Sequence, residues 1–398
     1  MAEQHEKALV PQIRFTSFTD PWEQCKFSEL VDRVTVASND PLLPQVEYED
    51  INSGEGTLNK DLGKKDGGKT GILFEPGDIL YGKLRPYLMN WLHPQFRGIA
   101  IGDFWVLRPS GAEGTCLYRL IQSDSFQRLA DISSGSKMPR ADWSLISSGE
   151  FLIPSDDAEQ RRIGAFFDRL DSLITLHQRK YDKLCVLKKS MLDKMFPKGG
   201  SLYPEIRFAG FTDPWEQRKL SSTCEQLSRT INPLETPNEE FTEYSMPAFD
   251  NNETAETVIG NSMNSLRKIV DRPCLLVNKL NVRKKRIWHV PRPEANAVCS
   301  SEFVPFSSHS SDLSFIKISL LSERITAYLE SCSSGSSNSQ KRVTPEIIMS
   351  SEIIAPSLAE QRRIGAFFDR LDSLITLHQR KLELLRNIKK SMLDKMFV

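Results

Sequence analysis

Mostly apolar residues recur at heptad spacing along two long segments of the chain, 158–196 and 359–397. In the first segment one such row contains Ile163, Leu170, His177, Leu184 and Met191, and in the second it contains Ile364, Leu371, His378, Leu385 and Met392. The spacing predicts two long amphipathic helices, each about 58 Å in length at 1.5 Å per residue. An apolar stripe of this kind requires a partner helix.

The starts of both predicted helices are marked by similar residues. Asp156 with Glu159, and Ser357 with Glu360, have the spacing of a capping box, in which each residue bonds the backbone of the other. The segment Pro197-Lys198-Gly199-Gly200 ends the first helix, because proline and glycine do not continue it.

The two helices belong to a larger internal repeat. AEQRRIGAFFDRLDSLITLHQRK begins at Ala158 and again at Ala359, and the related lead-ins IRFTSFTDPWEQCKF and IRFAGFTDPWEQRKL begin at Ile13 and Ile206. Weaker landmarks between them pair Lys83 with Lys279, Asp103 with Glu302, and Ser133 with Ser333. Their separation rises steadily from 193 residues at the lead-ins to 201 at the helices. The chain therefore consists of two tandem copies of one unit.

Two like units in one chain pack most simply about a pseudo-two-fold axis, which makes the helices antiparallel. His177 and His378 each lie midway along their helices, so helices paired without stagger bring the two imidazoles together. The alternative is that both are ordinary polar residues of the seam without a special contact.

Each diverged segment between a lead-in and its helix predicts a mixed α/β domain. GILFEPGDILYGKL, from Gly71, indicates short strands. CLYRLIQSDSFQRLAD, from Cys116, indicates one amphipathic helix ahead of the Ser-Ser-Gly-Ser loop that starts at Ser133.

Composition narrows the class of protein. A chain of 398 residues suggests two or three domains, no apolar run approaches the roughly 20 residues that span a bilayer, and the first residues lack the apolar centre of a signal peptide. Seven scattered cysteines without CxxC spacing indicate a reducing cytoplasm and no structural zinc. The net charge is zero, so only local clusters of Lys and Arg indicate nucleic-acid binding.

Motifs for catalysis and for cofactors are weak. Gly63 to Thr70 matches the phosphate-loop pattern, but its polar flank and the strand-like segment after it do not supply the required strand and helix. No adenine-methyltransferase motif, glycine-rich cofactor loop or HExxH spacing occurs. We therefore predict no catalytic residue, no cofactor and no metal site. A self-contained nuclease or ATPase lacks support for the same reason.

Basic clusters are the remaining chemical signal, and they fall at matched places in the two copies. Lys and Arg neutralise phosphates and can recognise base edges, so we predict DNA contacts here, the alternative being a solvated surface. The predicted residues are Lys83, Arg85, Lys137, Arg140, Lys279, Arg283, Lys284, Lys285, Arg286, Lys341 and Arg342.

The predicted helices carry more apolar surface than one seam covers. This surface predicts docking of other subunits, the alternative being packing against the helices' own domains. The residues assigned to docking are Phe166, Phe167, Ile174, Phe367, Phe368 and Ile375.

Two diverged domains, two near-identical helices, the FTDPWEQ lead-ins and the helix start EQRRIGAFFDRLDSLI together closely resemble the specificity (S) subunits of type I restriction-modification systems. The resemblance covers nearly the whole chain. It implies an α+β fold with two mixed α/β target recognition domains, separated by two long antiparallel helices that form a coiled coil within a pseudo-two-fold internal repeat. The implied segments are a lead-in (1–27), target recognition domain 1 (28–154), the central helix (155–198), a linker with the repeated lead-in (199–220), target recognition domain 2 (221–355) and the C-terminal helix (356–398).

The resemblance also implies a function. Each target recognition domain is expected to read one half of a bipartite asymmetric DNA site, while the paired helices set the spacing and dock two methyltransferase (M) subunits. Restriction (R) subunits complete such complexes, and the S subunit itself is non-catalytic. We therefore expect a cytoplasmic DNA-binding subunit without a membrane segment. The alternative is a coiled-coil scaffold or adaptor without DNA specificity.

Overall fold

A computed structural model describes residues 10–62, 68–132, 138–335 and 340–397. Its internal contacts divide the chain into two compact units. The first consists of Met1–Arg179 with His378–Val398, and the second of Lys180–Leu377. Each unit therefore contains the beginning of one long helix and the end of the other.

The first unit combines short strands with short helices and the start of a long helix. Its strands are β1 (Glu23–Lys26), β2 (Val31–Val34), β3 (Ala37–Ser38), β4 (Gln45–Val46), β5 (Ile51–Asn52), β6 (Thr57–Leu58), β7 (Gly71–Phe74), β8 (Ile79–Gly82), β9 (Trp91–Leu92), β10 (Gly98–Ala100), β11 (Phe104–Pro109) and β12 (Glu150–Ile153). Its helices are α1 (Phe27–Leu30), α2 (Gly114–Leu120), α3 (Asp124–Ala130), α4 (Trp143–Ser148) and the beginning of α5 (Asp157–Lys194).

The second unit has the same kinds of element. Its strands are β13 (Glu216–Lys219), β14 (Cys224–Gln226), β15 (Thr230–Ile231), β16 (Glu240–Tyr244), β17 (Glu256–Ile259), β18 (Arg267–Ile269), β19 (Cys274–Asn278), β20 (Ile287–Val290), β21 (Ala297–Cys299), β22 (Phe303–Ser308) and β23 (Glu352–Ala355). Its helices are α6 (Met246–Asp250), α7 (Leu313–Leu320), α8 (Glu323–Ser331), α9 (Pro345–Met349) and the beginning of α10 (Leu358–Met396).

The strand order is the same in both units. The central sheet is β2-β11-β8-β9 in the first unit and β14-β22-β19-β20 in the second, with antiparallel neighbours throughout. A further sheet has the order β3-β7-β10-β4 in the first unit, and the second has β15-β18-β21-β16 with β17 added at the edge. In both, one pair is parallel, β10 with β4 and β21 with β16. This is the correspondence that the matched landmarks in the sequence predict.

The central sheets are covered on both faces, because successive side chains of a strand point to opposite sides. On β8, Ile79 and Tyr81 face the cluster that contains the helices, whereas Leu80 faces a separate apolar cluster. On β19, Leu275 and Leu276 divide in the same way. Burial of one such side chain stabilises the fold by about 1.5–3 kcal/mol.

The segment from Cys116 folds as two short helices and not as the single helix that its pattern predicted. The Ser123 side chain accepts a hydrogen bond from the Phe126 amide, and this cap starts α3 after α2 has ended at Leu120. A serine side chain of this kind satisfies an amide that otherwise lacks a partner at a helix start. The prediction of one continuous helix is therefore wrong.

The lead-ins fix the starts of the long helices in a manner that the sequence did not predict. Arg14 donates from Nε and Nη2 to the two carboxylate oxygens of Glu159, both at 2.7 Å, and Arg207 binds Glu360 at 2.8 and 2.7 Å. Both glutamates are buried. The glutamate half of each predicted capping box is therefore wrong, because these carboxylates bind arginine and not the cap backbone. The predicted role of Asp156 as the helix cap is confirmed, because its Oδ1 accepts a hydrogen bond from the Ala158 amide at 2.6 Å.

Within each unit, segments of the two long helices contact one another in opposite directions. In the first unit His177 Nδ1 lies 2.8 Å from His378 Nδ1, and Lys389 Nζ lies 2.7 Å from Asp171 Oδ1. Earlier residues of α5 therefore contact later residues of α10, so these helix segments are antiparallel. The predicted contact between the two histidines is confirmed.

Candidate nucleic-acid interface

A tight turn follows β8 in the first unit and carries two of the predicted DNA-binding residues. The Lys83 amide donates to the Asp103 carbonyl at 2.9 Å, and the Arg85 amide donates to the Pro139 carbonyl at 2.8 Å. Residues 139–141 therefore lie beside the turn, which brings Arg140 near Lys83. The Asp103 carboxylate accepts from Arg140 Nη2 at 2.9 Å and lies 3.6 Å from Lys83 Nζ.

The second unit builds the same arrangement after β19. The Lys279 amide donates to the Glu302 carbonyl at 2.9 Å, and the Asn281 amide donates to the Lys341 carbonyl at 2.9 Å. Arg342 Nη2 lies 3.0 Å from Glu302 Oε1, as Arg140 lies beside Asp103. Lys83 and Lys279, which the sequence matched, therefore occupy equivalent positions, and the structure adds Arg140 and Arg342 as a second equivalent pair.

The backbone of the two turns is nearly identical, although their side chains differ. Arg85 and Met89 bound one turn with φ of 53° and 55°, and Asn281 and Lys285 bound the other with φ of 53° and 49°. Such left-handed conformations are uncommon for residues other than glycine. Their recurrence at equivalent positions shows that the fold maintains the turn independently of the side chains it carries.

The turn of the second unit presents cations that acidic neighbours hold in place. Arg283 Nε donates to Glu330 Oε1 at 2.5 Å, and Lys285 Nζ to Glu323 Oε1 at 2.6 Å. The Lys285 ammonium lowers the pKa of the Glu323 carboxyl. Lys284 is exposed at the tip of the turn. These pairs position the basic side chains, and they also offset part of their charge.

Arg286 is more deeply buried than the other basic side chains of this turn. Its guanidinium donates to the Asp250 carboxylate from Nε at 2.8 Å and from Nη2 at 2.5 Å, and its side chain is largely buried. This hydrogen bonding raises the pKa of Arg286 and lowers the pKa of Asp250. Arg286 thus ties the turn to α6.

The turn of the first unit is apolar where the second is basic. Tyr87, Leu88 and Met89 are exposed at its tip, at the positions that Arg283, Lys284 and Lys285 occupy in the second unit. A shared backbone thus presents two different chemical surfaces.

A cavity lies beside the basic residues of the first unit. It has a volume of about 560 Å³, and Lys83, Arg140, Arg33 and Trp143 are among its lining residues. The Arg33 guanidinium lies 5.3 Å from the centre of the Trp143 ring, within the range of a cation–π contact. Sequence inspection did not find Arg33, because it lies in β2, far along the chain from the basic clusters.

Some predicted features lie outside the described residues. Lys137 and the loop from Ser133 are among these, as are Gly63 to Gly67 of the phosphate-loop match. Lys69, within that match, is described, and its Nζ lies 2.6 Å from Glu47 Oε1. Thr70 leads directly into strand β7, so the helix that a phosphate loop requires does not follow.

The predicted docking residues divide by burial. Phe167 and Phe368 are 0% and 1% exposed in the cores of their own units, so the prediction that these two rings contact partner subunits is wrong. Phe166 packs edge-on against Phe15, with ring centroids 5.9 Å apart, and Phe367 packs against Phe208 at the same distance. These four rings are bound within their units because the lead-ins return to the helix starts.

Half-buried and exposed apolar residues remain on the long helices. Ile174 and Ile375 are half-buried. Leu173, Leu176, Leu374 and Leu377 are exposed, and they lie at identical positions of the two repeated segments. None of these four leucines was among the predicted docking residues, although Leu173 and Leu374 follow Phe166 and Phe367 at heptad spacing.

The described residues contain no group of three or more His, Cys, Asp or Glu side chains placed to hold a metal ion. The same part of the chain has no helix that is both long and apolar enough to cross a membrane.

Both units share one strand order, and each has a lysine at the same position of the turn that follows a central strand. Residues 213–387 match the family model of the type I restriction modification DNA specificity domain. This segment is therefore similar to that domain, and the resemblance to specificity subunits that the sequence shows is confirmed.

Solved structures of such systems are similar to the chain over almost its whole length. The type I restriction-modification S subunit from M. genitalium aligns with a TM-score of 0.58 at 14% identity, covering 98% of this chain and 99% of that one. This likeness shows the fold. The HsdS subunit from Thermoanaerobacter tengcongensis aligns with a TM-score of 0.42 at 19% identity, covering 94% and 96%. A chain from a structural study of type I R-M complex assembly and conformational transition aligns with a TM-score of 0.47 at 17% identity, covering 94% and 97%. No curated protein sequence matches the chain significantly.

Proposed function

We propose that this chain is the DNA sequence-recognition subunit of a type I restriction-modification complex. In this proposal each unit reads one half of a bipartite, asymmetric site on double-stranded DNA. The chain itself is non-catalytic, and methylation and cleavage belong to M and R subunits that join it. It acts in the cytoplasm, in keeping with its free cysteines.

The observation that carries the proposal is the pair of structurally equivalent turns that begin with a lysine and carry different side chains beyond it. Lys83 and Lys279 have the same backbone partners in topologically equivalent units, whereas the tips beyond them are apolar in one and cationic in the other. Recognition of two unlike half-sites requires two turns with the same backbone and different side chains at the DNA. Phosphate contacts fix the register of a protein on DNA, and the variable side chains select bases.

The long helices are proposed to set the gap between the half-sites. In this proposal α5 and α10 pair as an antiparallel coiled coil about a pseudo-two-fold axis. The opposed contacts within each unit support the pairing, as in the Lys389–Asp171 ion pair of the first. A helix of 38 residues is about 57 Å long, comparable to one or two turns of B-DNA.

Two M subunits are proposed to dock on the repeated helical surfaces. Leu173 with Leu176, and Leu374 with Leu377, offer the same exposed apolar pattern in each unit. Ile174 and Ile375 border these leucines. Two identical surfaces on one chain fit two copies of one partner.

Methylation mapping tests the proposal directly. The chain is expressed with M subunits in a host that lacks other methyltransferases, and modified adenines are located across the genome. We expect one split motif. Exchange of residues 28–154 for the corresponding domain of another S subunit should change only one half of that motif. As a control, exchange of residues 221–355 should change the other half.

The adaptor alternative predicts a different outcome. Under that alternative, M subunits bind the chain, but the methylated positions and the DNA affinity do not depend on either domain. Exchanges that leave the motif intact therefore contradict the proposed function and favour the adaptor.

A further inference from the structure

The first unit buries an arginine against the start of its long helix. Arg119, on α2, is 2% exposed. Its Nη2 donates to Asp168 Oδ1 at 2.5 Å and its Nη1 to Asp171 Oδ2 at 2.7 Å. The guanidinium also lies 5.8 Å from the centre of the Phe167 ring. One planar cation therefore bridges two carboxylates that are nearly one helical turn apart on α5.

The second unit has the same pair of carboxylates but no arginine. Glu113 caps α2 and Asp312 caps α7 in the same way, by accepting from the amide three residues on. The sixth residue after each cap is Arg119 in the first unit and Ile318 in the second. The repeated helix places Asp369 and Asp372 at the positions of Asp168 and Asp171.

A cavity of about 780 Å³ occurs at this place in the second unit. Such a volume is within the range of pockets that bind small ligands or side chains. Its wall is mainly apolar and includes Phe196, Ile318 and Leu321 beside the carboxylates of Asp369 and Asp372. Six cations also line it, and four of them are ion-paired: Lys188 with Asp372, Lys198 with Asp193, Lys285 with Glu323 and Lys317 with Glu253. Two lining residues are also smaller than their counterparts, because Ile325 and Ile353 stand where the first unit has Phe126 and Phe151.

Each of the carboxylates of Asp369 and Asp372 uses one oxygen in a hydrogen bond, and the other oxygen can accept a bond from a ligand. Asp369 Oδ2 accepts from the Ser314 hydroxyl at 2.6 Å, and Asp372 Oδ1 accepts from Lys188, the counterpart of Lys389. Within the described residues, Asp369 Oδ1 and Asp372 Oδ2 have no hydrogen-bond donor. Their counterparts in the first unit are the two oxygens that Arg119 binds.

We propose that this cavity of the second unit is a docking slot for an arginine side chain of a partner protein. The guanidinium bridges Asp369 and Asp372 as Arg119 bridges the corresponding carboxylates in the first unit. A lysine ammonium fits less well, because it lacks the planar fork that reaches two carboxylates at once. The apolar wall contacts an aliphatic residue beside the arginine.

Only the second unit has an open slot, so the two units differ at this place. The first unit fills its own slot with Arg119, so one chain accepts one such side chain and not two. This distinguishes the slot from the repeated leucine surfaces proposed for the M subunits. The proposal does not depend on DNA binding.

The test uses the full-length chain and the dipeptide N-acetyl-leucyl-arginine amide, with binding followed by NMR or calorimetry. The matched probe replaces arginine by citrulline, which has nearly the same shape but no charge. We expect one dipeptide to bind per chain and the citrulline probe to bind at least tenfold more weakly, because charged hydrogen bonds are the stronger ones.

Two variants locate the binding. Ile318→Arg transfers the first unit's residue into the slot and should abolish dipeptide binding without lowering the melting temperature. Asp369→Asn should weaken binding at least tenfold, and it keeps the test valid if Ile318→Arg does not fold. No binding up to about 10 mM, equal affinity for the citrulline probe, or unchanged affinity in both folded variants overturns the proposal.

Discussion

Arg283 and Lys284 allow a quantitative test of DNA binding by the second unit. The perturbation is the double variant Arg283→Ala with Lys284→Ala. These two residues are exposed on the turn after β19. Lys285 and Arg286 are left unchanged, because Lys285 Nζ also donates to the Leu321 carbonyl at 3.0 Å and Arg286 is bound to Asp250. Replacing those two would disturb the fold of the turn together with its charge.

The expected magnitude follows from counterion release. Each phosphate contact contributes about 0.9 to the slope of log K against log salt concentration on B-DNA, so the loss of two contacts lowers the slope by about 1.8. When salt rises fourfold, from about 50 to about 200 mM, the wild-type chain should then lose about 12-fold more affinity than the variant.

The assay is fluorescence anisotropy with a labelled duplex that contains the mapped target site, using the chain in complex with its M subunits. The matched control is Arg229→Ala with Arg272→Ala, which also removes two exposed, ion-paired cations from the second unit. Its salt slope should equal that of the wild type. A variant slope within error of the wild type, or an equal change in the control, would refute the assignment of this turn to DNA.

Three further predictions concern stability and docking. Arg207→Met should lower the free energy of unfolding by about 3–5 kcal/mol in urea denaturation, because it leaves the buried Glu360 carboxylate unpaired; a loss below about 1 kcal/mol would contradict this. Leu176→Asp should leave the melting temperature nearly unchanged and weaken M-subunit binding in sedimentation experiments, and undiminished assembly would argue against this docking surface. Burial lowers the pKa of both His93 and His289, so the unfolded chain takes up protons more readily as pH falls through about 6.5. Stability should therefore be full above that pH and decline below it, and a variant with both histidines replaced by Gln should show a smaller decline in urea midpoints between pH 7.5 and 5.5.

The repeat and the long helices could be predicted from the sequence because their signals are periodic. A heptad row and a near-identical segment require no knowledge of distant contacts, and the central position of His177 and His378 followed from counting along the two copies. That the two units share one fold could also be predicted, since the landmarks occur in the same order in both copies.

Residues whose partners are distant in sequence were predicted less well. Glu159 has the spacing of a capping residue, yet it binds Arg14, which is 145 positions away. Phe167 was assigned to docking because its helix carries excess apolar surface, but the core of its own unit encloses it. Neither local spacing nor composition reports which distant segment returns to a helix start.

The sequence by itself determined that the protein is a duplicated unit with a repeated amphipathic helix, because local periodicity and internal identity are properties of the chain alone. The tertiary structure decided how each charge is used. It placed Glu330 and Glu323 beside the basic turn, and it opened a cavity at Ile318 where the other copy buries Arg119. The physical reason is that the energy of a charged group depends on its burial and on the groups that fold around it, and these come from segments far apart in the chain.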